Sequence, residues 1–397
     1  MKKLLVLILC FLSFTGCTLN ALPTSAKSDT NKPDATAPMG IVINQSDTEK
    51  INLPNDADIL FSDDKQIIYS IEEWDKSNEY LNIQFYKYTI AEDTSVKLLD
   101  LTEYSSITGR ISIIDDKLYI PCLFVNNKNK IFEINLSTGD TTIFHEWIGN
   151  TFICNTYIEN NTLFVFEIIP ADENVSSESG TNYKVTAFNL QNPSQKEIMS
   201  GKYQTGTGDV ISCITVNDGV MYLYTLKYDN YNESTHILTY NISSEKFAEL
   251  PLISSKLSKI GDDPVMDMYA IENDLIFQTL NGQILIEKIQ SNKDLVPIII
   301  PDDLGSDISS RYTVLDSIGK ADDYLYFATT NSQENTIYKF DYMKQEFIPI
   351  KFDFNQDKLN ILNHYFTNKS GDIIMKSKND SNSEVNYFLV KKGFLEK

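Results

Sequence analysis

Histidine is the side chain most often used for proton transfer and metal ligation near neutral pH, and this 397-residue chain has three: His145, His236 and His364. None stands in the His-Glu-x-x-His spacing that sets two zinc ligands on one helical face, and no cysteines pair at metal-ligand spacing. A Gly-x-Ser-x-Gly elbow, which presents a nucleophilic serine, is missing, as is a calcium loop of alternating acids closed by Gly and Glu. The stretch Gly201-Lys202-Tyr203-Gln204-Thr205-Gly206-Thr207-Gly208 resembles a phosphate cradle but lacks Gly-Lys-Ser/Thr and a following helix, so it reads as a connection between strands. Acid pairs occur at Glu72-Glu73, Asp115-Asp116, Asp262-Asp263, Asp302-Asp303 and Asp322-Asp323. Glycoside hydrolysis needs two carboxyls from separate elements facing each other across about 5–9.5 Å, whereas adjacent acids in turns read as solvated loops. His145-Glu146-Trp147 reads as surface or packing. No catalytic residue, metal site or cofactor is assigned.

The elements that would have to position any site recur along the chain. A polar turn followed by an apolar strand begins at Asp64, Asp116, Asn161, Asp218, Asn273, Asp323 and Gly371, at intervals of 52, 45, 57, 55, 50 and 48 residues. A second apolar or aromatic strand, commonly closed by Asn or Asp, follows each after a variable loop: Ile131–Leu136, Val185–Leu190, Ile237–Ile242 and Ile337–Tyr342. Shorter strands follow these and precede the turns, which gives four strands per unit, rich in Ile, Tyr, Phe and Val. No helical periodicity over fifteen residues is found beyond the N-terminus.

Four antiparallel strands repeated at this period describe an all-β fold, a β-propeller of seven four-stranded blades, with six or eight blades and a pair of β-sandwiches as the alternatives. The units resemble the repeats of bacterial extracytoplasmic propellers of the kelch-like and quinoprotein-like kinds. They depart from both: the chain has 16 Gly and only Trp74 and Trp147, so kelch glycine pairs and a tryptophan in every quinoprotein blade are missing. A quinone-dependent dehydrogenase is therefore disfavoured, as is a sialidase, for want of a Ser-x-Asp-x-Gly-x-Thr-Trp box. In a propeller the connections from fourth to first strand and from second to third strand share one rim. Trp74, Trp147, Tyr203, Tyr228, Tyr231 and Arg311 fall in such connections and form the candidate binding face, since aromatics give large contact area at low entropy cost. Glu49–Pro54 resembles a fourth strand and is expected to complete the last blade, so that main-chain bonds join the last blade to the first.

At the N-terminus, Lys2 and Lys3 precede an apolar run from Leu4 to Phe14, which as a helix spans about 16 Å, short of a hydrocarbon core of about 30 Å. It reads as the core of a signal peptide. Phe14-Thr15-Gly16-Cys17 resembles the lipobox of bacterial lipoproteins, with Phe in place of the usual Leu; the resemblance implies lipidation of Cys17 after cleavage. The expected organisation is a signal peptide at 1–16, a lipidated Cys17 with a flexible linker rich in Ser, Thr, Ala, Pro and Asn over 17–48, and a propeller over 49–397. Cys122, Cys154 and Cys213 lie in apolar contexts and read as small buried hydrophobes without a disulfide. Without residues 1–16 the chain keeps 32 basic and 55 acidic residues, a charge near −23 that repels nucleic acid and anionic lipid. The expectation is a lipoprotein on the extracytoplasmic face of the cell membrane, touching the bilayer through its anchor only. Its propeller is expected to recognise a protein, peptide or glycan partner without catalysis. The alternative is a carbohydrate-active hydrolase or lyase whose residues converge from separate blades.

Overall fold

The computed structural model describes residues 40–395 apart from 75–80, 126–127, 148, 150, 171–179, 193, 258–264, 272–273, 280–283, 289–295, 299–313, 322–323, 331–334, 342–345, 355–358, 367–371 and 380–382. Residues 1–39 with Cys17, and Arg311, lie outside the described residues. Strands follow one another in antiparallel groups of four. The first group is Asp58–Ser62, Gln66–Trp74, Leu81–Thr89 and Thr94–Ile107; the second is Ser112–Ile114, Lys117–Phe124, Asn129–Asn135 and Thr141–Trp147. The third is Phe152–Glu159, Thr162–Ile169, Thr181–Asn189 and Gln195–Gln204, and the fourth Thr207–Asn217, Val220–Asp229, Asn232–Asn241 and Lys246–Glu249. The fifth runs from Val265–Ile271 through Asp274–Thr279 and Ile284–Lys288 to Val296–Ile298. Val314–Ala321, Tyr324–Thr330, Asn335–Asp341 and Glu346–Asp353 form the sixth. Leu359–Phe366, Ile373–Asn379 and Val385–Val390 are joined in the last group by Thr48–Ile51. The architecture is an all-β propeller, as the sequence repeat implies.

Two turn chemistries explain the two repeated sequence elements. Asp115 and Asp116, Asn160 and Asn161, and Asp218 and Gly219 all have positive φ, between 45° and 76°, in two-residue turns joining first and second strands. Asp, Asn and Gly tolerate that conformation, which matches the twist of the flanking strands. The Asn closing the third strand serves the next turn: Asn135 Oδ1 accepts from the backbone N–H of Ser137 and Thr138, and Asn189 Oδ1 from those of Gln191 and Asn192. Asn241 Oδ1 accepts from Ser244 in the same way.

Apolar clusters fill six seams between neighbouring groups. Ile68, Phe85, Leu118 and Ile120 pack between the first and second groups, Tyr119, Val165 and Phe188 between the second and third, and Phe166, Val185, Ile214 and Leu223 between the third and fourth. Tyr224, Ile237, Leu275 and Phe277 fill the next seam, Ile350, Met375 and Phe388 the seam between the sixth and last groups, and Ile67, Tyr69, Ile374 and Tyr387 the seam between the last and the first. First strands of neighbouring groups lie against one another, 152–159 on 207–217, 207–217 on 265–271, and 314–321 on 359–366. Apart from Ser112–Ile114, the first strands are each interrupted by a β-bulge, as between Ile59 and Phe61, Ile153 and Asn155, Ile211 and Cys213, and Val265 and Asp267. A bulge sharpens the local twist and so turns each bulged inner strand relative to its sheet.

The N-terminal segment pairs twice. Thr48–Ile51 runs antiparallel to Val385–Val390, with Thr48 opposite Val390 and Ile51 opposite Tyr387, which supplies the fourth strand that the sequence assigned to this region. Lys376 Nζ and Tyr387 OH then both donate to the Ala57 carbonyl at the start of the first group, at 2.8 and 2.7 Å. Ile41–Asn44, which the sequence placed in the linker, is a strand as well, parallel to Glu346–Asp353. Its buried Ile43 packs on Ile350, Phe354 and Phe388, contacts that a compositional reading of polar neighbours does not reveal. The structure also holds a short helix, Pro251–Leu257, and a helical turn, Lys392–Leu395. Ser254 Oγ of the helix accepts from the Ile237 N–H at 2.9 Å, so the helix covers the strand beyond the end of Lys246–Glu249.

Candidate functional site

The aromatic residues expected on one rim fare differently. Trp74, at the end of its strand, is 64% exposed. Trp147 is buried, with its ring centroid 4.3 Å from that of His145 and 6.0 Å from that of Phe188. It fills a seam instead of facing solvent. Tyr203, Tyr228 and Tyr231 are brought together: the first two rings meet edge to face at 5.1 Å, and the N–H of exposed Tyr231 donates to the Gly206 carbonyl at 2.8 Å. A Cβ at Gly206 would stand 2.5 Å from the Tyr231 ring, so this approach needs glycine. Tyr228 OH donates to Glu233 at 2.7 Å. Tyr203 and Tyr228 thus pack on each other across two hairpins, while Tyr231 remains exposed. Of the cysteines, Cys122 and Cys213 are buried and free, as expected, but Cys154 is exposed, because it occupies the bulge of its strand.

Beside that cluster the structure assembles a group that the motif search missed. Ser234 and His236 stand two residues apart on the strand Asn232–Asn241, and the period of two sets both on one face. Glu249 closes the neighbouring strand, opposite Leu238, where Leu250 N–H bonds back to Ile237 O and Pro251 opens the helix. His236 Nδ1 lies 2.9 Å from Glu249 Oε1, and Nε2 lies 3.1 Å from Ser234 Oγ. A proton on Nδ1 is held by the carboxylate, which leaves the Nε2 lone pair facing the serine hydroxyl. Serine, imidazole and carboxylate connected in this order form a nucleophile, a general base and the group that orients the base. Ser234 Oγ also lies 3.3 Å from the Lys227 carbonyl, so two acceptors compete for its proton. Lys227 is directly opposite Ser234 in the strand ladder, which puts their side chains on one face of the sheet. All of these groups border solvent, the His236 and Glu249 side chains being 35% and 43% exposed. The sequence signal was Ser234-x-His236 within a strand; the acid, 13 residues beyond the histidine, is identified only once the strand register is known.

Among the described residues no cluster of three His, Cys, Asp or Glu side chains could hold a metal ion, and no helix is long and apolar enough to cross a membrane. No family model and no curated protein matches the chain. Solved structures do. An acylaminoacyl peptidase in complex with Z-Gly-Gly-Phe-chloromethyl ketone is 10% identical with a TM-score of 0.54, covering 85% of this chain and 51% of that one. The acylaminoacyl peptidase of Pyrococcus horikoshii is 10% identical with a TM-score of 0.52, covering 84% of this chain and 51% of its own. The β-propeller domain of the Trilobed protease from Pyrococcus furiosus is 11% identical with a TM-score of 0.48, over 76% of this chain and 85% of that domain. The chain spans about half the length of the acylaminoacyl peptidases it matches, and at this identity the likeness is one of fold. These findings correct the expectation of a non-enzymatic recognition domain. Acylaminoacyl peptidases are among the structures sharing the fold, and nothing in the described residues shows a non-enzymatic binding role; of the aromatic residues named for it, Trp74 and Tyr231 are exposed, Trp147 is buried, and Tyr203 packs on Tyr228.

Proposed function

We propose that the protein is an acyl hydrolase acting on peptide or ester bonds, with Ser234 as nucleophile, His236 as general base and Glu249 as the residue that orients it. The observation that carries this reading is the use of both imidazole nitrogens of His236, one by the carboxylate and one by the hydroxyl. Ser234 Oγ attacks the acyl carbonyl carbon as Nε2 takes its proton. Collapse breaks the bond to the amine or alcohol, which leaves with that proton. Water, deprotonated by the same nitrogen, then cleaves the acyl-serine ester, and Ser234 regains its hydrogen. Acylaminoacyl peptides are the substrates to try first, given the names of the structures that share the fold.

A fluorophosphonate probe should label Ser234 in the wild type, with labelling lost in Ser234→Ala and His236→Ala. Hydrolysis of an N-acyl aminoacyl ester should fall by about 10²-fold or more in His236→Ala, the usual contribution of a general base. Equal labelling or equal rates in wild type and Ser234→Ala would sink the assignment.

The scaffold is taken to be a seven-bladed ring, in support of which the described strands supply seven four-stranded groups, the last completed by Thr48–Ile51. The protein is further proposed to be held on the extracytoplasmic face of the membrane by lipid on Cys17, on the strength of the lipobox-like Phe14–Cys17. Cys17→Ser should move it out of the membrane fraction or leave it as unprocessed precursor. A wild-type mature N-terminus elsewhere, without lipid, would exclude the anchor.

A further inference from the structure

Arg110 and Arg311 are the only arginines in the chain; the other 32 of its 34 basic residues are lysine. The two side chains differ in kind, since guanidinium is a flat fork that stacks on aromatic faces and meets a carboxylate through two parallel hydrogen bonds. Arg110 stands between Thr94–Ile107 and Ser112–Ile114, the two pieces that make the inner edge of the second group. Gly109, at φ +80°, lets this loop press on the next inner strand, for a Cβ there would lie 3.0 Å from the Thr156 nitrogen. Thr156 Oγ1 donates to the Arg110 carbonyl at 2.6 Å and fixes the backbone.

The guanidinium carbon then lies 4.8 Å from the ring centroid of Tyr157 and 5.2 Å from that of Tyr269. These tyrosines belong to the third and fifth groups and occupy equivalent places, each following the bulge of its inner strand. Tyr157 OH donates to the Ile214 carbonyl of the intervening strand at 2.7 Å. Asp267, two residues before Tyr269, accepts from the Met268 N–H at 2.8 Å and also from the Tyr269 hydroxyl. Arg110 is exposed, and among the described residues no carboxylate comes within ion-pairing distance of it, whereas Lys117, Lys130 and Lys196 each have an acidic partner. Two aromatic faces therefore hold the fork from strands on either side of a third, and among the described residues its edge donors meet no carboxylate within ion-pairing distance.

We propose that Arg110, held by Tyr157 and Tyr269 on the inner ring of strands, is a carboxylate-binding site that takes the free C-terminus of a short peptide. The choice of a peptide carboxylate rests on the peptide-hydrolase reading; the carboxylate chemistry does not. Calorimetric titration of the full chain with an N-acetylated tripeptide acid should show binding at least 10-fold tighter than with the same tripeptide as its C-terminal amide. Arg110→Lys, which keeps the charge but loses the flat fork, should weaken the acid 10-fold or more with an unchanged melting temperature, and Tyr269→Leu should weaken it too. A tripeptide amide carrying one internal Asp separates a C-terminal carboxylate from a side-chain one, and inorganic phosphate separates a carboxylate from any anion. Equal binding of acid and amide, equal binding by wild type and Arg110→Lys, or preference for phosphate overturns the proposal. Loss of hydrolysis in Ser234→Ala with the titration intact leaves it standing, so the two assignments fail separately.

Discussion

His145 and His236 are both strand residues, and their surroundings give them different work. His236 keeps both ring nitrogens in polar contact at the protein surface. His145 is half-buried against the rings of Trp147 and Phe188, and burial, with Lys184 nearby, holds its pKa below the ordinary value of 6.5. A base whose folded pKa is depressed contributes stability above its unfolded pKa and loses it as pH falls through the folded value. The melting temperature of the wild type should therefore drop as pH falls from 6.5 towards 5, and His145→Phe, which keeps an aromatic ring but cannot ionise, should drop less. Thermal scans across pH 5 to 8 check this; a wild-type-minus-variant difference that is flat with pH counts against it. The sequence assigned His145-Glu146-Trp147 to surface or packing, and the structure shows both: the His145 and Trp147 rings pack, while Glu146 stands at the surface beside Lys128 and Lys130. Trp147 was nonetheless also placed on a binding face, because residue type marks a tryptophan as useful for recognition whether or not a neighbouring sheet covers it.

Element by element, what could be read in the sequence follows what is local. Strands of alternating or continuous Ile, Tyr and Val, and turns at Asp116, Asn161 and Asp218, depend on residues that are neighbours in the chain, and the structure places them as read. The Asn residues ending third strands were visible as a pattern, and their reason is the side-chain bonds made into the following turn. The bulges were not legible. Their bulged residues include Leu60, Cys154 and Ser212, which share no chemistry, and a bulge exists only relative to a partner strand. Pro251–Leu257 was missed for a related reason: seven residues are too few for a helical period, and its Ser254 bond to Ile237 is fixed by tertiary contact. The Ser234, His236 and Glu249 group has the same character, half of it written along one strand and half in the register of the next.

For the whole molecule the decisive segment is the N-terminal one, because it is paired at two places far along the chain. Ile41–Asn44 adds to the edge strand of the sixth group, and Thr48–Ile51 completes the last. Gln45–Asp47 turns the chain between them, with Asp47 accepting from the Asn44 N–H at 2.9 Å and Thr48 Oγ1 donating to Gln45 O at 2.7 Å. The two strands bury Ile43 and Ile51 in different seams, and each such side chain contributes about 1.5–3 kcal/mol. Loss of Thr48–Ile51 would also unpair an edge of the last group and remove the backbone link leading into the first. Chains beginning at Gly40, Ser46 and Asp56 should accordingly melt in steps. The first should match the full mature protein, the second should fall by a few degrees, and the third should fall further, with a less cooperative transition. Scanning calorimetry on the three separates the contributions. If the chain beginning at Asp56 melts with the one beginning at Gly40, neither strand holds the ring shut, and closure rests on side-chain contacts such as those of Lys376 and Tyr387 with Ala57.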